Sequence, residues 1–245
     1  IKQGHEETLT ALVEEVENRT VGAGMPAALQ EVDFAVYSRR KAERMVRGLF
    51  PKAEQEQVLN LFDGCTVFLT PANIESVLRN SNWLSTAWTL ANLYLLSVGA
   101  EPLGEDAPNI VGLSEEQTCY VSPAYFTEEH PYADFVVHEM AHVFHNCKRR
   151  TAGLKETRTR EWLLDIDYLK REDFAYACEA YSRILEQART PADRRTLGEQ
   201  FTGFDVATER ADQEQVAQIV RAACHRRNGW KVILEYCKKG KRQLN

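Results

Sequence analysis

Apolar residues recur at three- and four-residue spacing along most of this chain, and short β-branched runs interrupt that rhythm in two places. The spacing predicts a helix over residues 5–18, with Leu9, Leu12, Val13 and Val16 on one face and glutamates on the other. After a break from Thr20 to Pro26, it predicts a second helix over 27–50, through Leu29, Val32, Val36, Met45, Val46 and Leu49. The polar face of that helix is basic (Arg39, Arg40, Lys41, Arg44, Arg47) and is expected to be solvated. A short helix follows at 54–62. Thr70 and Pro71 predict the start of another, as N-cap and first helical residue. A long apolar helix covers 83–98.

Cys65 to Leu69 and Thr118 to Ser122 are the strand candidates, with 100–117 between them irregular. Pro131 is expected to open a helix ending near Asn146. Residues 162–168 fit a strand or a helix, 170–187 form a strong helix, and 190–239 hold two or three more. The fold class is therefore α+β, predominantly α-helical, with a small sheet. By position the chain divides into a helical region at 1–100, a core at 101–190 and a helical region at 191–245.

Composition narrows the function classes. With 245 residues, 44 % hydrophobic and 27 % charged, the chain can bury a sizeable core, and its net charge of −6 gives no drive toward nucleic acid. The apolar stretch 83–98 contains Ser, Thr and Asn and is expected to be a core helix, with no membrane span anywhere. Six cysteines are scattered without a C-x-x-C pair, which predicts reduced thiols and a cytoplasmic location. Between Lys148 and Arg171, eight Lys or Arg face four Asp or Glu; a solvated loop is expected there, with steering of an acidic substrate as the alternative.

The chemistry concentrates in Phe-Val-Val-His-Glu-Met-Ala-His-Val-Phe-His-Asn, residues 135–146. On a helix His138 and His142 leave the same face one turn apart, a spacing that lets two imidazoles share a tetrahedral metal ion. Glu139 between them can act as general base. Apolar residues cover nearly the whole circumference of this helix, so it belongs in the interior, where polar groups must be paired or metal-bound. His145 lies on the same face, but about 10 Å along the axis from His138, too far to meet the same ion. It is expected to be a supporting or core histidine.

This H-E-x-x-H pattern resembles the zincin superfamily of zinc metallopeptidases. A catalytic zinc commonly has three protein ligands and an open position, so a third ligand is needed. On the helix 170–187, Glu172, Ala175, Glu179 and Ser182 share one face, crowded by small residues that permit close helix packing. Here the chain resembles the gluzincin branch, whose third ligand is a Glu on a downstream helix, often followed three residues later by Ala or Ser. Glu172 and Glu179 both fit; Glu179, among the small residues, is preferred. The resemblance also implies an oxyanion-stabilising group, for which Tyr176 and Tyr168 are the candidates. It further implies a strand whose free edge pairs with an extended substrate, and 118–122 is the candidate.

The implied protein is a zincin-like core with helical extensions at both ends, holding one Zn²⁺ and hydrolysing peptide bonds of an intracellular protein or peptide substrate. Two other classes stay open: a zinc hydrolase acting on a small molecule, and a non-catalytic regulatory or interaction protein with a structural zinc.

Overall fold

The computed structural model describes residues 2–24, 32–108, 110–127, 129–205 and 211–239. In chain order these form α1 (Lys2–Arg19), α2 (Phe34–Leu49), α3 (Lys52–Phe62), β1 (Thr66–Phe68), α4 (Ile74–Arg79), α5 (Leu84–Ser97), β2 (Gly112–Glu115) and β3 (Thr118–Val121). Then come α6 (Phe135–Asn146), α7 (Arg171–Gln187), α8 (Pro191–Gln200), α9 (Gln213–Cys224) and α10 (Gly229–Cys237). The protein is mostly helical with one small sheet, as the periodicity predicts. None of the described helices is long and apolar enough to cross a membrane.

The chain folds into two compact units made of interleaved stretches. One comprises Ile1–Asp33, Val67–Leu113 and Tyr120–Glu128; the other comprises Phe34–Thr66, Ser114–Cys119 and Glu129–Asn245. In the first, the apolar face of α1 (Leu9, Val13, Val16) packs with Leu78 of α4 and Leu90, Leu93 and Tyr94 of α5. The predicted apolar helix is thus a core element. Its buried Asn92 donates to the Trp88 carbonyl at 2.9 Å and accepts from the Leu103 N–H at 2.7 Å, so its burial is compensated.

In the second unit α7 is the hub, packed by α6, α8, α9 and α10. Ala175, Ala177, Cys178, Ala180 and Ser182 are all buried along it, and such small side chains let the neighbours close in. Glycine serves the same end where α10 begins. A Cβ on Gly229 would collide with the Tyr181 ring of α7, and one on Gly48 of α2 with Trp230. Phe144 of α6 meets Phe50 and Phe62 at ring-centroid distances of 5.4 and 5.3 Å, anchoring α6 to the end of α2 and to α3.

Several expectations are corrected. The helix placed over 27–50 begins at Phe34; its expected start at Ala27, and Leu29, lie outside the described residues. Val36 faces solvent at 64 % exposure, because the apolar stripe of α2 starts only with Ala42, Met45 and Val46. Lys41 does not belong to a solvated basic face. It is buried, with Nζ 2.7 Å from Asp134 and 2.8 Å from Glu186.

Thr70 and Pro71 open a turn, not a helix. The Asn73 side chain accepts from the Thr70 N–H at 2.8 Å, and α4 starts after it. Pro131 likewise precedes the true start of α6, which Asp134 caps by accepting from the Val137 N–H at 3.2 Å. Residues 162–168 form neither a regular strand nor a helix, only isolated bridges from Trp162 to Lys148 and from Ile166 to Lys238. The stretch read as irregular contains β2. Within the basic stretch Arg149 is buried against Glu54 at 2.7 Å, so that residue is structural.

The sheet order is β1-β3-β2. The Cys119 N–H donates to the Cys65 carbonyl at 2.7 Å, and the Leu69 N–H donates to Val121 at 3.1 Å. These bonds share one register only when β1 and β3 run parallel. β3, the expected edge strand, is therefore central, and the outer strands are β1 and β2.

The buried Lys41 generates a prediction. Removing one partner of a buried ion pair leaves an uncompensated charge, which costs about 3–5 kcal/mol. Lys41→Met should destabilise the protein by that order in urea titration. Adding Asp134→Asn, whose amide oxygen still caps Val137, should recover part of the loss. A Lys41→Met protein as stable as wild type would contradict this account.

Candidate metal centre

The centre lies where the middle of α6 meets the first two turns of α7. His138 and His142 project from α6 with their Nε2 atoms 3.2 Å apart. Glu172, in the first turn of α7, places Oε2 3.7 Å from His138 Nε2 and 3.6 Å from His142 Nε2. Among the described residues these three form the group able to hold a metal ion. A point equidistant from the three atoms lies roughly 2.0 Å from each, within the range of zinc–nitrogen and zinc–oxygen bonds.

Glu179 stands on the other side of His138. Its Oε2 is 2.9 Å from His138 Nδ1, and its Oε1 accepts from the Asp134 N–H at 2.8 Å. A carboxylate only accepts, so His138 donates from Nδ1, which directs its Nε2 toward Glu172 and His142. Of the two candidate glutamates, Glu172 is thus the one grouped with His138 and His142, and Glu179, the one preferred from the sequence, meets His138 Nδ1 instead.

A second relay orients His142. Its Nδ1 is 3.0 Å from His145 Nε2, and His145 Nδ1 is 3.0 Å from the Asn146 side-chain oxygen. Taking His145 as donor to Asn146 makes its Nε2 an acceptor, so His142 donates from Nδ1 and keeps an Nε2 lone pair. His145 thus accepts from the His142 imidazole. Metal-ligating histidines are commonly held this way, through the ring nitrogen that does not bind the metal.

Burial pushes the Glu139 carboxyl up to about 7, against the pull of a charged His138. Burial also pushes His142 down to about 3, helped by the His138 charge, and His145 down to about 4, helped by Arg171. His138 goes the other way. Burial disfavours its charge, yet the carboxylates of Glu172, 3.7 Å away, and of Glu179, hydrogen-bonded at Nδ1, outweigh that and raise it to about 10. An imidazolium at His138 aims its Nε2 proton at His142 and Glu172, into the triangle itself.

Of the remaining candidates, Tyr176 sets its ring edge-on to His138 with centroids 4.6 Å apart. Tyr168 is not brought to the cluster. It is 75 % exposed, with the Arg171 guanidinium 5.0 Å from its ring centroid. Three contributors escape a motif search: Ser114, which hydrogen-bonds Glu139; Asp134; and Arg171 beside Glu172. Only Asp134 leaves a local signal, as an N-cap residue directly before an apolar helix.

No family model, curated protein or solved structure matches the chain.

The carboxylate–imidazole pairing is open to direct measurement. Side-chain NMR of the metal-free protein should find His138 doubly protonated well above the ordinary imidazole range, with His142 and His145 neutral through neutrality. Because Glu179 raises the His138 pKa, Glu179→Gln should lower it. A His138 that titrates normally in both proteins would overturn the assignment.

Proposed function

We propose that this protein is a zinc-dependent metallopeptidase of the gluzincin-like zincin type. It would hydrolyse peptide bonds with His138, His142 and Glu172 as zinc ligands and Glu139 as general base. The observation that carries this reading is the ligand triangle, whose dimensions suit zinc, with a buried carboxyl next to it on the same helix. Supporting it is the order of parts: a His–Glu helix followed by a packed downstream helix that supplies both a third ligand and an orienting carboxylate.

A bound zinc ion supplies Lewis acidity, polarising a carbonyl oxygen and acidifying water. The chain's own groups do the rest. Glu139 accepts a proton from the attacking water and returns it to the leaving nitrogen, with the Ser114 hydrogen bond steadying its carboxylate. Tyr176, packed on His138, is the nearer of the two tyrosines to the developing oxyanion. An extended peptide would add to the outer strand β2 at Ser114, next to the base, instead of to β3. A reducing, cytoplasmic setting accords with six free, buried cysteines.

Metal content and turnover of four proteins test this reading together. Wild type should bind one zinc per chain and cleave peptides in preference to small amides. Glu139→Gln should bind zinc normally and lose activity. Glu172→Ala should lose most of its zinc affinity, while Glu179→Ala weakens it about 10–100-fold. If Glu172→Ala binds zinc as wild type does, the ligand assignment is wrong. If Glu139→Gln still turns over, so is the mechanism.

Zinc entry should also displace the His138 proton. Calorimetry at neutral pH in buffers of different ionisation enthalpy should register between about one and two protons released per zinc bound, one from His138 and a fraction from Glu139. Affinity should rise with pH up to the folded His138 pKa of about 10. A binding enthalpy independent of buffer would contradict the displacement.

A further inference from the structure

Two cysteines away from the ligand triangle stand side by side. Cys65 follows Gly64, whose φ of +74° turns the chain out of α3, and Cys119 is the second residue of β3. The Cys119 N–H donates to the Cys65 carbonyl at 2.7 Å, and the two thiols are within hydrogen-bonding reach of each other. Both are free. Both are buried, but Cys65, at 5 % exposure, lines a cleft of about 460 Å³ walled by Gln57, Asn60, Asp63, Thr118 and Thr151, whereas Cys119 is fully enclosed. Such polar walls admit a small, hydrated oxidant.

Their acidities differ in the same sense. Hydrogen bonds from Cys119 and Thr66 hold the Cys65 thiol below its ordinary pKa, while burial pushes Cys119 well above it. The thiolate is the nucleophile, so the cysteine that lines the cleft is also the one that ionises first.

We propose that Cys65 and Cys119 form a peroxide-responsive dithiol site, with Cys65 as the attacking sulfur and Cys119 as the resolving one. The Cys65 thiolate attacks one oxygen of hydrogen peroxide; the O–O bond breaks, giving Cys65 sulfenic acid and hydroxide. The Cys119 sulfur then attacks the sulfenic sulfur, forming the S–S bond and releasing the oxygen as water. In sum two thiols give up two electrons and two protons, and one peroxide becomes two waters. The product ties the turn before β1 to β3, and Cys119 lies within electrostatic reach of Glu139. This site stands independently of the hydrolase reading, because its formation is followed by thiol chemistry alone.

The test uses the full chain treated with hydrogen peroxide, quenched in acid, alkylated and mapped by mass spectrometry. Wild type should lose two of its six thiols first, as a Cys65–Cys119 disulfide, at least about tenfold faster than any other thiol. Cys178 and Cys237, both fully buried, serve as the internal control and should stay reduced. Cys119→Ser should accumulate a sulfenic acid at Cys65 that a 1,3-dione probe captures, and Cys65→Ser should leave Cys119 unmodified. Oxidation of the control pair before Cys65–Cys119, a persistent sulfenic acid in wild type, or a reactive Cys119 in Cys65→Ser would each overturn the proposal. Should the variants fail to fold by circular dichroism, the wild-type map alone decides it.

Discussion

One carboxylate, that of Glu179, sets the geometry on which the rest of the centre depends. It is buried between α6 and α7, and both its oxygens are engaged: one accepts the Asp134 N–H, the other faces His138 Nδ1. Burying a carboxylate without such partners would cost several kcal/mol, so α6 and α7 are held in the one arrangement that satisfies it. The small residues around Glu179 on α7 allow the approach. Asp134 extends the chain of constraint, since its side chain caps α6 and meets the buried Lys41. A polar path therefore runs from α2 through the start of α6 into α7 and back to the His138 ring.

That path explains why two glutamates two turns apart take different parts. Glu172 and Glu179 share a face of α7 but lie roughly 10 Å apart along its axis. The His138 imidazole sits between them, showing Nδ1 to one and Nε2 to the other. A histidine can be oriented through one nitrogen and offer the other to a metal. The two roles therefore need two carboxylates on opposite sides of a single ring.

The sequence makes part of this legible. The His pair and Glu139 follow from the spacing of one helix, and the shared face of Glu172 and Glu179 follows from another, but it is the gluzincin resemblance that singles those two glutamates out. The apolar core helix α5 and the strand at Thr118 are legible from the residue pattern too. What spacing cannot express is how helices cross, and the choice between Glu172 and Glu179 is a matter of crossing alone. Nothing in the sequence around Lys41 distinguishes it from Arg39 or Arg40; only the acids opposite it, Asp134 and Glu186, make it a core residue. β2 escaped notice because Gly-Leu-Ser-Glu has weak strand propensity and pairs only because β3 lies beside it. Pro131 and Pro71 misled for a common reason. Proline suits a first helical turn but suits an ordinary turn equally well.

The balance of charge completes the argument. Three glutamates (139, 172 and 179) surround two histidines that would bind a metal, and in the metal-free protein a proton on His138 is the compensating charge. A divalent ion in the triangle would replace that one positive charge by two. The larger charge beside Glu139 would draw its carboxyl down from about 7, leaving it ionised and ready to accept a proton at neutral pH. Burial raises the Glu139 carboxyl, and on the proposed reading an ion in the triangle would offset that rise. On the proposed reading, ion and base would be coupled through the low-dielectric interior they share.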